Sequence, residues 1–249
     1  MHSGVLFHVK VLYLIVARGG SKGVPNKNIR ELGGISLVGF KALAARKSCS
    51  CSRLIISTDS PAIQENARQY GVEVPFTRPA ELATDTAGTE DVIWHAMQFI
   101  EAEGRDTFDA IMLCEPSAPF ARSCDFDEAV DLMMKQNANL VVGMRAVTVA
   151  SVFVGPMDAE GRITSIIDKM AGLTGLARQQ VQQEYTMNGA LYLIRWDYFK
   201  KIRHRYKDRD HSYGLEMPWQ YSVEIDEPMD LAWAEFLITQ GHIDLSHWR

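Results

Sequence analysis

The chain has 249 residues, 47% of them hydrophobic, enough to bury the core of one large α/β domain or of a domain with a small appendage. A formal net charge of −5 makes nucleic-acid polymers and anionic membranes poor general partners, and no internal repeat or low-complexity tract is present. Cys49, Cys51, Cys114 and Cys124 lack CxxC spacing, and the seven histidines lack an HExxH-type pair. The expectation is therefore reduced, structural thiols in a cytoplasmic protein, with His95 a packed or surface residue and not a ligand.

In chain order, Val9–Ala17 is aliphatic on both faces apart from Lys10, the pattern of a central parallel strand. The run is too short to span a bilayer and meets a charged turn without a cleavage site. In that turn, Gly19, Gly20 and Gly23 are expected to adopt positive φ and gather N–H groups into a concavity ringed by Arg18, Lys22 and Lys27. The spacing is neither GxxxxGK[ST] nor GxGxxG, so the cradle reading rests on residue type, and a solvated basic turn is its alternative. Helical spacing follows over 35–47, and Arg53–Ser57 is a strand. Pro61 opens a helix to about Tyr70, capped by Asp59 or Ser60. Val72–Phe76 reads as a strand, Thr77–Gly88 as a polar loop, and Thr89–Glu103 as a helix closed by Gly104.

Ala110–Cys114 is the next strand, ending in EPSAPFARS; a helix over Asp125–Gln136 and a strand over Leu140–Met144 follow. This alternation predicts a Rossmann-like three-layer α/β sandwich with a mostly parallel sheet, and in such sheets ligands sit beyond the carboxyl ends of strands. Val152–Gly155 and Ile163–Ile167, around a DAEG turn, read as a hairpin within an inserted arm at about 148–187 of an otherwise single domain. A strand over Gly189–Ile194, a helix from Trp196 to about His204, a last strand over Tyr221–Ile225 and a helix from Pro228 to Gly241 complete the chain.

Glu224 and Asp226, two apart on that last strand, would share a face about 7 Å apart and hold one divalent cation such as Mg2+. Helix capping by Asp226 is the alternative, and for Asp59 capping is preferred to metal binding. A cationic cradle with carboxylates beyond other strand ends is equipment for attack on a nucleotide phosphate.

Five stretches in order, ARGGSKGVPNKNI, ISTD, RPAELATDTA, RQQ…NGALYLI and VEID, resemble the acylneuraminate cytidylyltransferases, over about Val11 to Leu237. The resemblance implies a Mg2+-dependent enzyme that joins CTP to a sialic acid-like 2-keto sugar acid and releases pyrophosphate. It implies that Arg18, Lys22 and Lys27 act on the triphosphate within a nucleotide site that includes Ala17, Gly19, Gly20 and Ser21. Asn28, Arg78, Ala87 and Thr89 would meet cytidine; Glu115, Arg178, Gln179, Asn188 and Tyr192 would surround the sugar; Asp226 and Glu224 would hold the metal. A homodimer is also implied, with each arm reaching over the neighbouring active site. The sequence departs from the family pattern at Glu115, in EPSAP where QPTSP is usual, at Glu224 in place of the first aspartate, and at Thr186, where an arginine can occur. These departures bear on the sugar more than on CTP. The alternatives are the same fold with another sugar or nucleoside triphosphate, and a non-catalytic nucleotide-binding homologue.

Overall fold

The computed structural model describes residues 9–171 and 182–249. Strand β1, Val11–Val16, is buried almost throughout, because its residues point alternately into two separate cores. Val11, Tyr13 and Ile15 belong to one cluster and Leu12 and Leu14 to the other. A small hairpin of β2 (Glu31–Leu32) and β3 (Ile35–Ser36) leads into α1 (Leu37–Lys47), whose cap Ser36 accepts from the Gly39 N–H. Strand β4 (Cys51–Ser57) pairs in parallel with β1, and α2 (Pro61–Gln69) begins at Ser60 as cap with Pro61 in its first turn. Helix α3 (Thr89–Glu103) ends at Gly104 in the left-handed conformation. His95 on this helix sits edge-on to Phe76, ring centroids 4.7 Å apart.

The second half comprises β5 (Ala110–Cys114), α4 (Ser123–Gln136), β6 (Leu140–Ala146), α5 (Thr164–Ala171), β7 (Tyr185–Arg195), α6 (Trp196–Ile202), β8 (Ser212–Glu216) and α7 (Pro228–Thr239). The six-stranded sheet runs β4-β1-β5-β7-β6-β8. Strand β7 is antiparallel to both neighbours and every other pairing is parallel, so the sheet is mostly parallel as expected. Helices α1, α2, α4 and α7 contribute buried residues to the first core, and α3 and α6 to the second. Each fully buried aliphatic side chain contributes about 1.5–3 kcal/mol, which fixes the two helical layers on the sheet and the strand ends between them.

Three expected elements differ. Val72–Phe76 makes only one bridge, Ile55 to Glu73; Pro75 has no N–H with which to extend a ladder. The hairpin over 152–167 is absent. Ser151–Phe153 is a 3-10 turn and Thr164–Ala171 a helix, since Ile163, Ile167 and Met170 repeat at helical and not strand spacing. Only the Asp158–Gly161 turn survives, closed by the Gly161 N–H on the Asp158 carbonyl at 3.0 Å. The last strand is Ser212–Glu216, while 219–221 is a 3-10 turn and 222–227 is irregular. Among the described residues no helix is long and apolar enough to cross a membrane.

Candidate active site

The backbone after β1 is held to the sheet by the Ala17 N–H on the Ser57 carbonyl, 3.2 Å, and then by the Gly19 N–H on Asp59 Oδ1, 2.8 Å. Asp59 thus braces the loop from the end of β4, and Ser60 is the helix cap. Buried Asn28 donates to the Arg18 carbonyl across the loop at 3.0 Å. Of the three loop glycines only Gly20 is left-handed, with φ 68°. Gly23 is needed for another reason: a Cβ there would lie 2.1 Å from the Asp226 carbonyl oxygen. The loop and the segment before α7 therefore touch backbone to backbone.

That approach closes one end of a cleft of about 460 Å³ beyond the strand ends. Lys27 Nζ donates to the Ile225 carbonyl at 2.8 Å and to Asp226 Oδ1 at 2.9 Å. Arg18 and Lys22 share one counter-ion, Asp85, at 2.7 and 2.6 Å. The hydrogen bond from Lys22, with Arg18 adding to it, holds the Asp85 carboxyl below the usual carboxylate range. Arg78 enters from beyond β4 with Nε on Ser57 Oγ at 3.0 Å, and burial pushes its guanidinium down to about 10. Three cations and the Arg78 guanidinium thus line one cavity with Asp85, Glu115 and Asp226, an arrangement that could take a polyanion.

Glu115, at the end of β5, faces the same cleft. Burial pushes its carboxyl up, Glu224 and Asp226 add to the rise, and Arg205 and Lys41 oppose it. Arg205 is itself buried between Tyr192 and Tyr206, its guanidinium carbon 4.8 and 5.1 Å from their ring centroids. Lys41 is fully buried with Nζ 2.6 Å from the Ala190 carbonyl, and burial pushes it down to about 8. A carboxyl whose folded value is raised binds more protons folded than unfolded. Its stability contribution is full below the ordinary 4.5 and is lost as pH rises through the folded value. Glu115→Gln is therefore expected to raise the unfolding temperature at pH 7, with the advantage narrowing as pH falls toward 4. A pH series of thermal melts on both proteins checks this.

Among the residues expected from sequence, Arg18, Ser21, Lys22, Lys27, Asn28, Arg78, Ala87, Thr89, Glu115 and Asp226 all line the cleft. Ala17, Gly19 and Gly20 shape the loop from behind and do not line it. Glu224 and Asp226 are not on a strand: Glu224 opens into a neighbouring cavity, and only Asp226 borders both. Asp226 does not cap α7; Glu227 does, in a reciprocal box with Asp230. Asn188 is fully buried, donating to Ser222 Oγ at 2.9 Å, and Tyr192 lies beneath Arg205 in the second core. Arg178 and Gln179 lie outside the described residues. Sequence reasoning missed Asp85, although the TDTAG stretch contains it, and missed the contact of Gly23, which leaves no sequence signal. Among the described residues no group of three or more His, Cys, Asp or Glu side chains is placed to hold a metal ion unaided.

A family model described as "Cytidylyltransferase" matches residues 12–145. "Post-translational flagellin modification protein B" of Campylobacter coli is 30% identical over 241 residues, covering 94% of this chain and 97% of that protein. A "CMP-N,N'-diacetyllegionaminic acid synthase" of Legionella pneumophila is 29% identical over 232 residues, covering 92% and 97%. Among solved structures, a CMP:2-keto-3-deoxy-manno-octonic acid synthetase complexed with CTP has a TM-score of 0.65 at 16% identity, covering 93% of this chain and 99% of that one. At that identity the likeness concerns the fold.

Proposed function

Since the chain belongs to the cytidylyltransferase family, we propose that it transfers CMP from CTP to the anomeric hydroxyl of a sialic acid-like 2-keto sugar acid. One observation carries the reading: Lys27 in the first loop and Asp226, 199 residues later, meet at 2.9 Å beside a cleft that also holds Arg18 and Lys22. Arg18, Lys22 and Lys27 bind the triphosphate and neutralise the charge that grows on departing pyrophosphate as the sugar oxygen attacks the α-phosphorus. Asn28, Arg78, Ala87 and Thr89 hold the cytidine end. The names of relatives that act on legionaminic acid and on N-acylneuraminate support a nine-carbon acceptor.

The donor set suits magnesium, which usually takes one or two carboxylates and completes its shell with waters and substrate phosphates. Asp226 is the first of these, its side chain 72% exposed on the border of the cleft, and Glu224 the second. When bound, the ion supplies positive charge to the phosphate oxygens. We take the working form to be a cytoplasmic homodimer, one domain per subunit with an arm over about 148–187. Four free cysteines suit a reducing compartment. Val149, Val154, Met157, Ile163, Ile167 and Met170 are exposed on the arm, a surface that a second subunit would cover.

The test is pyrophosphate release from each of four nucleoside triphosphates against N-acetylneuraminic, legionaminic, pseudaminic and octulosonic acids. CTP with a nine-carbon acid is expected to react; CTP inert with every acid overturns the reading. Asp85 competes with the triphosphate for Arg18 and Lys22, so Asp85→Asn is expected to tighten CTP binding. Because this pair of contacts is exposed, the gain is modest, about two- to fivefold, readable by calorimetry.

A further inference from the structure

A second cavity, of about 320 Å³, adjoins the nucleotide cleft and shares Asp226 with it. Arg145, at the end of β6, and Glu224 lie on it, together with Trp219 and Trp233. The two indoles stack with centroids 6.3 Å apart and planes 25° apart, yet remain 54% and 44% exposed. Trp233 stacks in turn on Phe236 at 5.3 Å, which extends the aromatic wall.

We propose that this cavity is the acceptor subsite, in which Arg145 binds the carboxylate of the sugar acid and the Trp219–Trp233 wall takes its C–H face and acyl groups. The proposal rests on the reading that the acceptor is a 2-keto sugar acid. Its position suits the chemistry, since an acceptor held here reaches the phosphates past Asp226, the residue common to both cavities. Its size is at the lower end of small-molecule sites, about 300–1,000 Å³, enough for one sugar.

Three carboxylates, Glu224, Asp226 and Asp230, border the cavity with Arg145, and two of them are already engaged. Asp226 is engaged by Lys27 at 2.9 Å, and Asp230 accepts the N–H groups of Asp226 and Glu227 at 3.0 and 2.9 Å. Arg145 makes no hydrogen bond or ion pair with a described residue and is exposed. Its partner across the antiparallel ladder is Thr186, a small side chain on the same face that leaves the guanidinium uncovered. An exposed, planar, bidentate donor beside an aromatic wall suits a carboxylate. Ser222, also on this cavity, is fixed by the buried Asn188 amide, which gives that asparagine a place behind the subsite.

The experiment measures initial rates of pyrophosphate release with N-acetylneuraminic acid and N,N'-diacetyllegionaminic acid as probes. Arg145→Gln is expected to raise KM for the sugar acid about 10- to 100-fold, with KM for CTP unchanged and Arg145→Lys recovering part of the loss. Trp219→Ala is expected to raise the same KM. Both positions are exposed, and circular dichroism verifies that the variants are folded. Sugar KM unchanged in Arg145→Gln and Trp219→Ala, while the parent turns over, overturns the subsite alone. Unchanged KM with an altered oligomeric state in Trp219→Ala also overturns it, assigning the aromatic wall to subunit contact. A parent inert with CTP and every sugar acid overturns the activity reading, and this subsite with it.

Discussion

Lys27→Ala is expected to lower kcat by about 10²–10³-fold, measured as pyrophosphate release at saturating CTP and sugar acid. The lysine side chain is only 15% exposed and donates at once to the Ile225 carbonyl and Asp226. It fastens the first loop to the far end of the chain, and the role proposed for it beyond that is to set a positive charge where the leaving group departs. Losing the charged hydrogen bonds costs about 1.5–3 kcal/mol of stability, too little to unfold a domain with two complete cores. If Lys27 were only a fastener, the alanine variant would melt earlier but keep its kcat at temperatures where it is fully folded. If it neutralises the leaving group, the rate falls even there, and Lys27→Arg recovers part of it. Melting curves and saturating rates on the same preparations distinguish the two roles.

Much of the candidate site is legible in the sequence because its parts follow strands whose sequences are unambiguous. The uninterrupted apolar run of Val11–Val16, the Ser60-Pro61 start of α2 and the Thr89–Glu103 helix with Gly104 behind it combine period, cap and stop in agreement. Elements with only one weak signal are missed or misread. SYGLE at Ser212–Glu216 offers two apolar residues and a glycine, because an edge strand exposes much of its length. The stretch around 163–170 supports either period over so short a span, and its apolar residues remain exposed, so no burial pattern decides between them. In the site, residue type disclosed the cations and Asp226, but no local pattern discloses which ends of a chain meet. Asn188 and Tyr192, expected to touch the sugar, are buried, Asn188 on Ser222 and Tyr192 beneath Arg205. Arg145 and Trp219 belong to no motif and become visible only when β6 and the 219–221 turn are brought beside Asp226.

Gly23→Ala is expected to be the most damaging single methyl in the first loop. The new Cβ would sit 2.1 Å from the Asp226 carbonyl oxygen, 3.3 Å from its carbon and 3.9 Å from Glu227 Cα. All three are backbone atoms, so no rotamer change relieves the clash, and either the loop or the 225–227 segment must shift. The second is anchored by the Ile225 N–H on the Ser117 carbonyl at 2.7 Å and by the Glu227–Asp230 box that starts α7. The strain, about 1–3 kcal/mol, is then relieved by opening the Lys27–Asp226 contact. A displacement of about 1 Å at reacting groups costs on the order of 10²-fold in rate, so kcat is expected to fall by that factor. Gly20→Ala supplies the comparison: its φ of 68° makes alanine unfavourable, by about 1–2 kcal/mol, but nothing lies within 4 Å of the added carbon. The two variants are thus expected to melt similarly and to differ in rate, with Gly23→Ala the slower. Equal rates would mean that the closeness of loop and tail has no part in turnover, and that the glycines matter only for the bend of the chain.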